Sequence, residues 1–113
     1  MPDSPLLVLT NSPDADSAQQ LANQIIDQSL AACVNILPPM QSIYSWKGVR
    51  QRATENQLLI KTTQKRYADL ESFIMDNHPY ELPEIIAMPL EAGLPAYLNW
   101  INSCCEEPDE INH

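Results

Sequence analysis

Glycine is scarce in this sequence, where Gly48 and Gly93 are the only two among 113 residues. A phosphate-binding loop needs several glycines, because its backbone amides must approach the phosphate closely. The three cysteines form no Cys-x-x-Cys pair, so the ligand spacing typical of a structural zinc site is missing. No Ser, His and Asp residues stand at a spacing that suggests a catalytic triad. These absences predict that the protein is not an enzyme.

Positive charge is also scarce, since six Lys and Arg residues stand against fifteen Asp and Glu residues and the net charge is −9. A field of that sign repels phosphate backbones and anionic lipid head groups. The apolar runs are interrupted well before the roughly 20 residues that a membrane-spanning helix needs. The N-terminal residues lack the basic start and apolar run of a signal peptide. The sequence therefore predicts a cytoplasmic protein that binds neither nucleic acid nor membranes.

The length suits a single domain, and 44% apolar residues are enough for a core. Four of the last ten residues are acidic, and almost nothing apolar accompanies them. We therefore predict one domain over residues 1–103 and an acidic, flexible tail over residues 104–113. Cys33 is expected to pack as a small apolar residue in a buried strand, whereas Cys104 and Cys105 are expected to be exposed.

The hydrophobic pattern predicts an α+β protein with the order β-α-β-β-α-β and a helix added at the C-terminus. Residues 6–10 are typical of a central strand buried on both faces, and Ser12 is predicted to cap the first helix. Thr63 and Pro95 are predicted to start the other two helices. This order is that of the ferredoxin-like fold, in which two helices cover one face of an antiparallel sheet.

An extended segment over residues 31–49 is predicted to enter a long antiparallel hairpin with residues 57–62, through a polar turn at residues 50–52. At roughly 3.3 Å per residue this segment reaches far beyond a helix, which rises about 1.5 Å per residue. The excess length carries Tyr44 and Trp46 on one face, and a single chain has nothing to cover them. Strand pairing between subunits in a closed ring would cover them, so we predict an obligate homo-oligomer.

Four segments of the sequence are recognisable together. They read LAACVNI at 30–36, SIYSWKG at 42–48, LIKT at 59–62 and HPYELPEI at 78–85. In this order they resemble the CutA divalent-cation tolerance family, and the resemblance runs from about residue 6 to about residue 104. The resemblance implies a homotrimer of ferredoxin-like subunits whose hairpins pair between subunits. It also implies a role in the response to divalent metal ions such as copper, with no reaction and no obligatory cofactor.

His78 is the main candidate metal ligand, since a neutral imidazole binds copper and zinc. The alternative is a structural role, because an imidazole at the end of a helix suits the negative end of the helix dipole. The resemblance implies that copper-binding relatives use one Cys and two His at positions held here by Thr10, Asn77 and His78. One of the three ligands therefore remains. A weaker divalent-cation site that includes Glu81 or Glu84 stays open.

Aromatic and charged residues form a second candidate site, a cleft between subunits. Such clefts bind small molecules when a few polar groups converge in them. The alternative is interface packing, in which the aromatic residues act as anchors and Lys61 closes the rim beside a carboxylate. The predicted function is that of a trimeric divalent-cation tolerance protein, and the alternative is a signalling or scaffold trimer that binds a small molecule or protein in this cleft. The cleft residues are Tyr44, Trp46, Lys47, Glu55, Lys61, Tyr80, Glu84 and Trp100.

Overall fold

The computed structural model of the chain describes residues 3–106. Most of the predicted acidic tail lies outside this range. Within it, strands and helices follow the predicted order, with the second predicted strand divided in two. No helix among the described residues is long and apolar enough to cross a membrane. The elements are β1 (Pro5–Ser12), α1 (Ala15–Asp27), β2 (Cys33–Ile36), β3 (Met40–Trp46), β4 (Val49–Thr63), α2 (Gln64–Asn77), β5 (Ile85–Pro89) and α3 (Pro95–Cys104).

The strands form an antiparallel sheet in the order β2-β4-β1-β5, and β3 pairs with β4 as well. Strands β2 and β3 follow each other along one edge of β4, and the Leu37 amide between them donates to the Gln57 carbonyl. Strand β1 pairs with β4 only from Asn56 to Thr63. Within the described chain, residues 49–55 of β4 therefore have no strand on the edge that β1 occupies further along.

The β3–β4 hairpin confirms the predicted long hairpin, although the predicted turn at residues 50–52 is wrong. The turn lies at Lys47 and Gly48, whose φ angles are 52° and 79°. Two positive φ angles are typical of the tight two-residue turn whose twist matches that of the strands, and glycine adopts them at no steric cost. Residues 50–52 consequently continue β4, and the hairpin stretches the subunit to 51 × 28 × 24 Å.

Helix α1 is capped by Asp14. The prediction that Ser12 caps this helix is therefore wrong. The Asp14 carboxylate accepts a 2.7 Å hydrogen bond from the Ser17 amide. Because this bond favours the charged form, it lowers the pKa of Asp14. Ser12 instead ends β1, where it pairs with Asn56. Strand pairing decides between two residues that are both good helix caps.

The core lies between the sheet and the two longer helices. Val8 and Ile60 are cross-strand partners on β1 and β4, and both are fully buried. Ile25 of α1 and Leu70 of α2 are also 0% exposed, as expected for an apolar stripe with a spacing of three and four residues. Strand β1 is central as predicted, but its second face is only partly covered. The expectation that both of its faces are buried is therefore wrong for a single chain.

Helix α3 begins at Pro95, as predicted. The side chain of Ile101 is 0% exposed and packs the helix against the rest of the fold. Cys105 is only 4% exposed, so the expectation of an exposed thiol is wrong for this residue. Burial raises the pKa of the Cys105 thiol, and a protonated thiol is a poor nucleophile and metal ligand. Cys33 is half-buried on β2 and not fully buried as predicted.

Candidate functional site

An open cavity of about 780 Å³ lies between the β3–β4 hairpin and the segment that joins α2 to β5. Its size falls within the range of small-molecule sites. Two strands form one wall, the segment 78–84 forms the opposite wall, and the end of β1 contributes the floor. The lining residues are Asn11, Ser42, Ile43, Tyr44, Trp46, Ala53, Glu55, Pro79, Tyr80, Glu81, Leu82 and Glu84.

The hairpin wall follows from the alternation of side chains along a strand. Ser42, Tyr44 and Trp46 occupy every second position on β3, so they project from the same face. Ser42 pairs with Ala53 on β4, and Glu55 lies two residues beyond Ala53 on that face. The alternation thus brings aromatic rings and a carboxylate to one side of the hairpin.

His78 holds the opposite wall in place. It follows the last residue of α2 with an extended backbone. The Tyr80 amide donates to His78 Nδ1 at 3.1 Å, and His78 Nε2 contacts the carbonyl oxygen of Asn11. Since Nδ1 accepts a hydrogen bond, the ring proton lies on Nε2, which donates to Asn11. Both ring nitrogens are therefore used in fixing the segment to the end of β1.

Tyr80 and Glu55 join the two walls across the cavity. The Tyr80 hydroxyl donates to Glu55 Oε2 at 2.9 Å, and Glu55 is only 5% exposed. Burial, together with the hydrogen bond to Glu55 and its negative charge, raises the pKa of Tyr80 to about 12. Tyr80 consequently stays protonated at neutral pH and acts as a fixed donor to the carboxylate.

Asn11 forms the floor of the cavity and is only 8% exposed. Its Nδ2 atom donates a long hydrogen bond of 3.5 Å to Glu84 Oε1. Its Oδ1 atom is buried and has no hydrogen-bond partner. Burial of a carbonyl oxygen without a donor costs about 1–3 kcal/mol. Asn11 therefore carries a buried hydrogen-bond acceptor that no donor in the described chain satisfies.

The structure brings together five of the eight predicted cleft residues and separates the other three. Lys47 lies at the hairpin turn, with its ammonium group 5.6 Å from the centre of the Trp46 ring. Lys61 pairs with Cys33 on β2 and donates to Asn35, and no carboxylate within residues 3–106 forms an ion pair with it. Trp100 stacks against Tyr97 on α3. The five that line the cavity are Tyr44, Trp46, Glu55, Tyr80 and Glu84.

The candidate metal ligands do not converge on one point. Glu81 and Glu84 are exposed and line the cavity, whereas His78 contacts Asn11 and Tyr80 with its two nitrogens. Among residues 3–106, no group of three or more His, Cys, Asp and Glu side chains is placed to hold a metal ion. A divalent cation would find single donors here and no preformed coordination shell.

Six residues that line the cavity were not predicted from the sequence: Asn11, Ser42, Ile43, Ala53, Pro79 and Leu82. Ser42 has the same strand parity as Tyr44 and Trp46, so the alternation pattern alone would have included it. Asn11 could be placed only by its position at the end of the central strand. Asn11 contacts His78 and Glu84, which both lie far from it in the sequence.

The structure defines a small α+β protein with an antiparallel sheet, a projecting hairpin and a cavity of ligand size at the base of that hairpin. Residues 6–104 match the sequence profile of the CutA1 divalent ion tolerance protein. The chain therefore belongs to the CutA1 divalent ion tolerance family, which confirms the resemblance seen in the sequence.

Relatives from bacteria and plants support this assignment. The chain is 40% identical over 98 residues to the divalent-cation tolerance protein CutA of Yersinia pestis, covering 87% of this chain and 82% of that protein. It is 39% identical over 98 residues to the chloroplastic CutA of Arabidopsis thaliana, covering 87% of this chain. The chain spans only 54% of the Arabidopsis protein and 60% of the mouse protein CutA.

Solved structures of similar proteins share the fold. The crystal structure of CutA1 from Oryza sativa superimposes with a TM-score of 0.90 at 36% identity, over 93% of this chain and 96% of that one. The divalent cation tolerance protein from Thermus thermophilus gives a TM-score of 0.88 at 36% identity, over 90% of this chain and 99% of that one. These comparisons confirm the α+β fold with an antiparallel sheet.

Proposed function

We propose that this chain forms a homotrimer of ferredoxin-like subunits that acts in the cytoplasm in tolerance to divalent cations and catalyses no reaction. The observation that carries the proposal is the family match, which covers residues 6–104. Similar proteins are named for divalent-cation tolerance. The strand order and the two helices over one sheet support the ferredoxin-like arrangement. Three free cysteines in the described chain support a reducing compartment.

The open edge of β4 supports the assembly. Residues 49–55 pair with β3 on one edge and leave the amides and carbonyls of the other edge available for a strand from another chain. The same hairpin exposes 59% of Ile43, 47% of Tyr44 and 58% of Val49. A closed ring of subunits satisfies the backbone groups and covers these side chains at once. The number three is the one that the family resemblance implies.

Binding of copper or another divalent cation is proposed to be weak and not obligatory. His78 must give up its hydrogen bond with Tyr80 or with Asn11 before either ring nitrogen can bind a metal. Glu81 and Glu84 offer carboxylate oxygens, which suit harder cations better than they suit copper. The proposal therefore assigns His78 a structural role first, with the two carboxylates as the freer contacts for a cation.

We predict that His78→Ala lowers stability by about 1–3 kcal/mol, because the Asn11 carbonyl and the Tyr80 amide lose their partner. The affinity for Cu(II) and Zn(II) is expected to stay within about twofold of the wild-type value. Calorimetric titration of both proteins with each metal tests this. The other histidine, His113, is present in both proteins, so a difference between them reports on His78. A more than tenfold loss of affinity would show instead that the imidazole is a metal ligand.

A second candidate function is that of a signalling or scaffold trimer that binds a small molecule or a protein in its clefts. The cavity favours it, because Tyr44, Trp46, Glu55, Tyr80 and Glu84 converge there within one chain. In a trimer, a neighbouring subunit would supply the walls that this open cavity lacks. This function does not exclude the first, since a ligand-responsive trimer can still act in metal tolerance.

Neither of the two candidate functions includes catalysis. The titratable groups that line the cavity are carboxylates and tyrosines. No Ser–His or Cys–His pair, the usual arrangement for an activated nucleophile, occurs among the described lining residues. The polar groups of the cavity suit recognition of a ligand by hydrogen bonds and charge.

A further inference from the structure

We propose that the cavity between the β3–β4 hairpin and the segment 78–84 binds an organic ammonium ion, a primary amine carried on a short aromatic or apolar body. This inference rests on the second candidate function, ligand binding in the cleft, and adds the chemical class of the ligand. Three independent features of the cavity support it: its charge, its aromatic walls and its unsatisfied acceptor.

The charge of the cavity has one sign. Glu55, Glu81 and Glu84 line it, and none of the described lining residues carries a positive charge. Arg50 and Arg52 of β4 have the opposite strand parity to Glu55 and are not among the lining residues. A concave site lined by carboxylates attracts cations and repels anions.

Aromatic rings distinguish this cavity from a site for a bare metal ion. Tyr44, Trp46 and Tyr80 line it together with the carboxylates. The ring faces of Tyr44 and Tyr80 attract ammonium groups, and all three rings pack against apolar carbon. The Lys47 ammonium group already lies 5.6 Å from the centre of the Trp46 ring, so Trp46 is assigned to the apolar body of the ligand. A Ca²⁺ ion, in contrast, needs six to eight oxygen ligands, and no cluster of three or more potential metal ligands exists in the described chain. An organic cation uses both the rings and the carboxylates.

The floor of the cavity requires a hydrogen-bond donor. Asn11 Oδ1 is buried without a partner, and Asn11 Nδ2 is directed to Glu84. This orientation of the amide is supported by the contact itself, because a flipped amide would place oxygen against the carboxylate. Glu55 has a hydrogen bond from Tyr80 and no ion pair among the described residues. A primary ammonium group has three N–H donors, so it can satisfy Asn11 and a carboxylate together.

The test uses four compounds with the same benzyl body and different polar groups. Benzylammonium, benzyl alcohol, phenylacetate and benzyltrimethylammonium are titrated into the wild-type protein at neutral pH, and binding is followed by NMR shifts and calorimetry. Benzylammonium is expected to bind about tenfold or more tightly than benzyl alcohol, because its hydrogen bonds are charge-assisted. Benzyltrimethylammonium is expected to bind more weakly than benzylammonium, since it cannot donate to Asn11. Phenylacetate is expected not to bind.

Variants locate the site. Glu55→Gln keeps an oxygen for the Tyr80 hydroxyl and removes the charge, so benzylammonium is expected to bind about tenfold more weakly. Glu84→Gln is also expected to weaken the binding of benzylammonium. Because Glu84 is exposed, this substitution is expected to leave the fold intact. Glu91→Gln removes the same charge from an exposed residue outside the cavity and is expected to leave binding unchanged. Equal binding of benzylammonium and benzyl alcohol, or equal losses in all three variants, would overturn the proposal.

The molecular mass of the protein in the same samples, measured by sedimentation, shows whether the ligand proposal and the trimer proposal fail separately. A trimer that binds none of the four compounds overturns the ligand class and leaves the assembly standing. A monomer that binds benzylammonium at Glu55 overturns the assembly and leaves the ligand class standing.

Discussion

Replacing Trp46 by alanine is expected to break the assembly and to lower stability by about 3–5 kcal/mol per subunit, the usual cost of removing a packed tryptophan. In a single chain Trp46 is half-buried near the hairpin turn and belongs neither to the core nor to the residues packed against it. A loss of this size can therefore come only from contacts with another subunit. Aromatic anchors at the centre of an interface have effects of this order.

Thermal unfolding and sedimentation of Trp46→Ala and wild type, at the same chain concentration, check this expectation. Lys65→Ala serves as the control, because Lys65 is exposed near the start of α2 and lies outside the hairpin. The control is expected to assemble and to change stability by less than about 0.5 kcal/mol. If Trp46→Ala assembled and unfolded like wild type, Trp46 would not anchor an interface.

The second large effect is expected in the core, where Ile60→Ala should cost about 2–5 kcal/mol of folding free energy. Ile60 lies on β4 between Val8 of β1 and Val34 of β2, and its side chain is 0% exposed. The substitution removes the contacts to both neighbouring strands and leaves a cavity that β4 cannot close, because it is paired along both edges at this point.

Denaturant unfolding at a fixed chain concentration measures this loss, since the stability of an oligomer depends on concentration. Ile26→Ala is the matched control, because 42% of Ile26 is exposed on α1 and alanine favours helix. We expect the control to lose less than about 1 kcal/mol. Equal losses in the two variants would show that the sheet centre is not where the fold is stabilised.

The order of strands and helices could be predicted because burial imposes a period on the sequence. The stripe through Ile25 on α1 and the one through Leu70 on α2 are local patterns that need no tertiary knowledge. Two of the errors arose where local signals competed. Ser12 and Asp14 are both good caps, and residues 50–52 and the Lys47-Gly48 pair are both polar enough for a turn. Strand pairing, which the sequence does not display, decided each case.

The cavity was predictable to the extent that strand alternation defines it. Tyr44 and Trp46 share a face through their spacing, and the segment after α2 was prominent through the family resemblance. Lys61 and Trp100 could not be separated from this set, because their places depend on which strand and helix lie beside them. Asn11 was missed for the same reason, since its partners lie elsewhere in the chain.

Burial of the C-terminal part of α3 was the least predictable feature. Two adjacent cysteines before an acidic stretch suggested exposure, yet Cys105 lies 3.9 Å from the buried hydroxyl of Thr62. The side chain that follows a helix is buried or exposed according to where the helix end falls on the sheet. That position depends on the approach of α3 to β4, which composition does not indicate.

Sedimentation of the wild-type protein tests the proposed assembly most directly. Because each hairpin has an open edge on residues 49–55 and exposed apolar side chains, we predict a single species with the mass of three chains down to micromolar concentration. A compact, stable species with the mass of one chain at that concentration would contradict the proposed trimer.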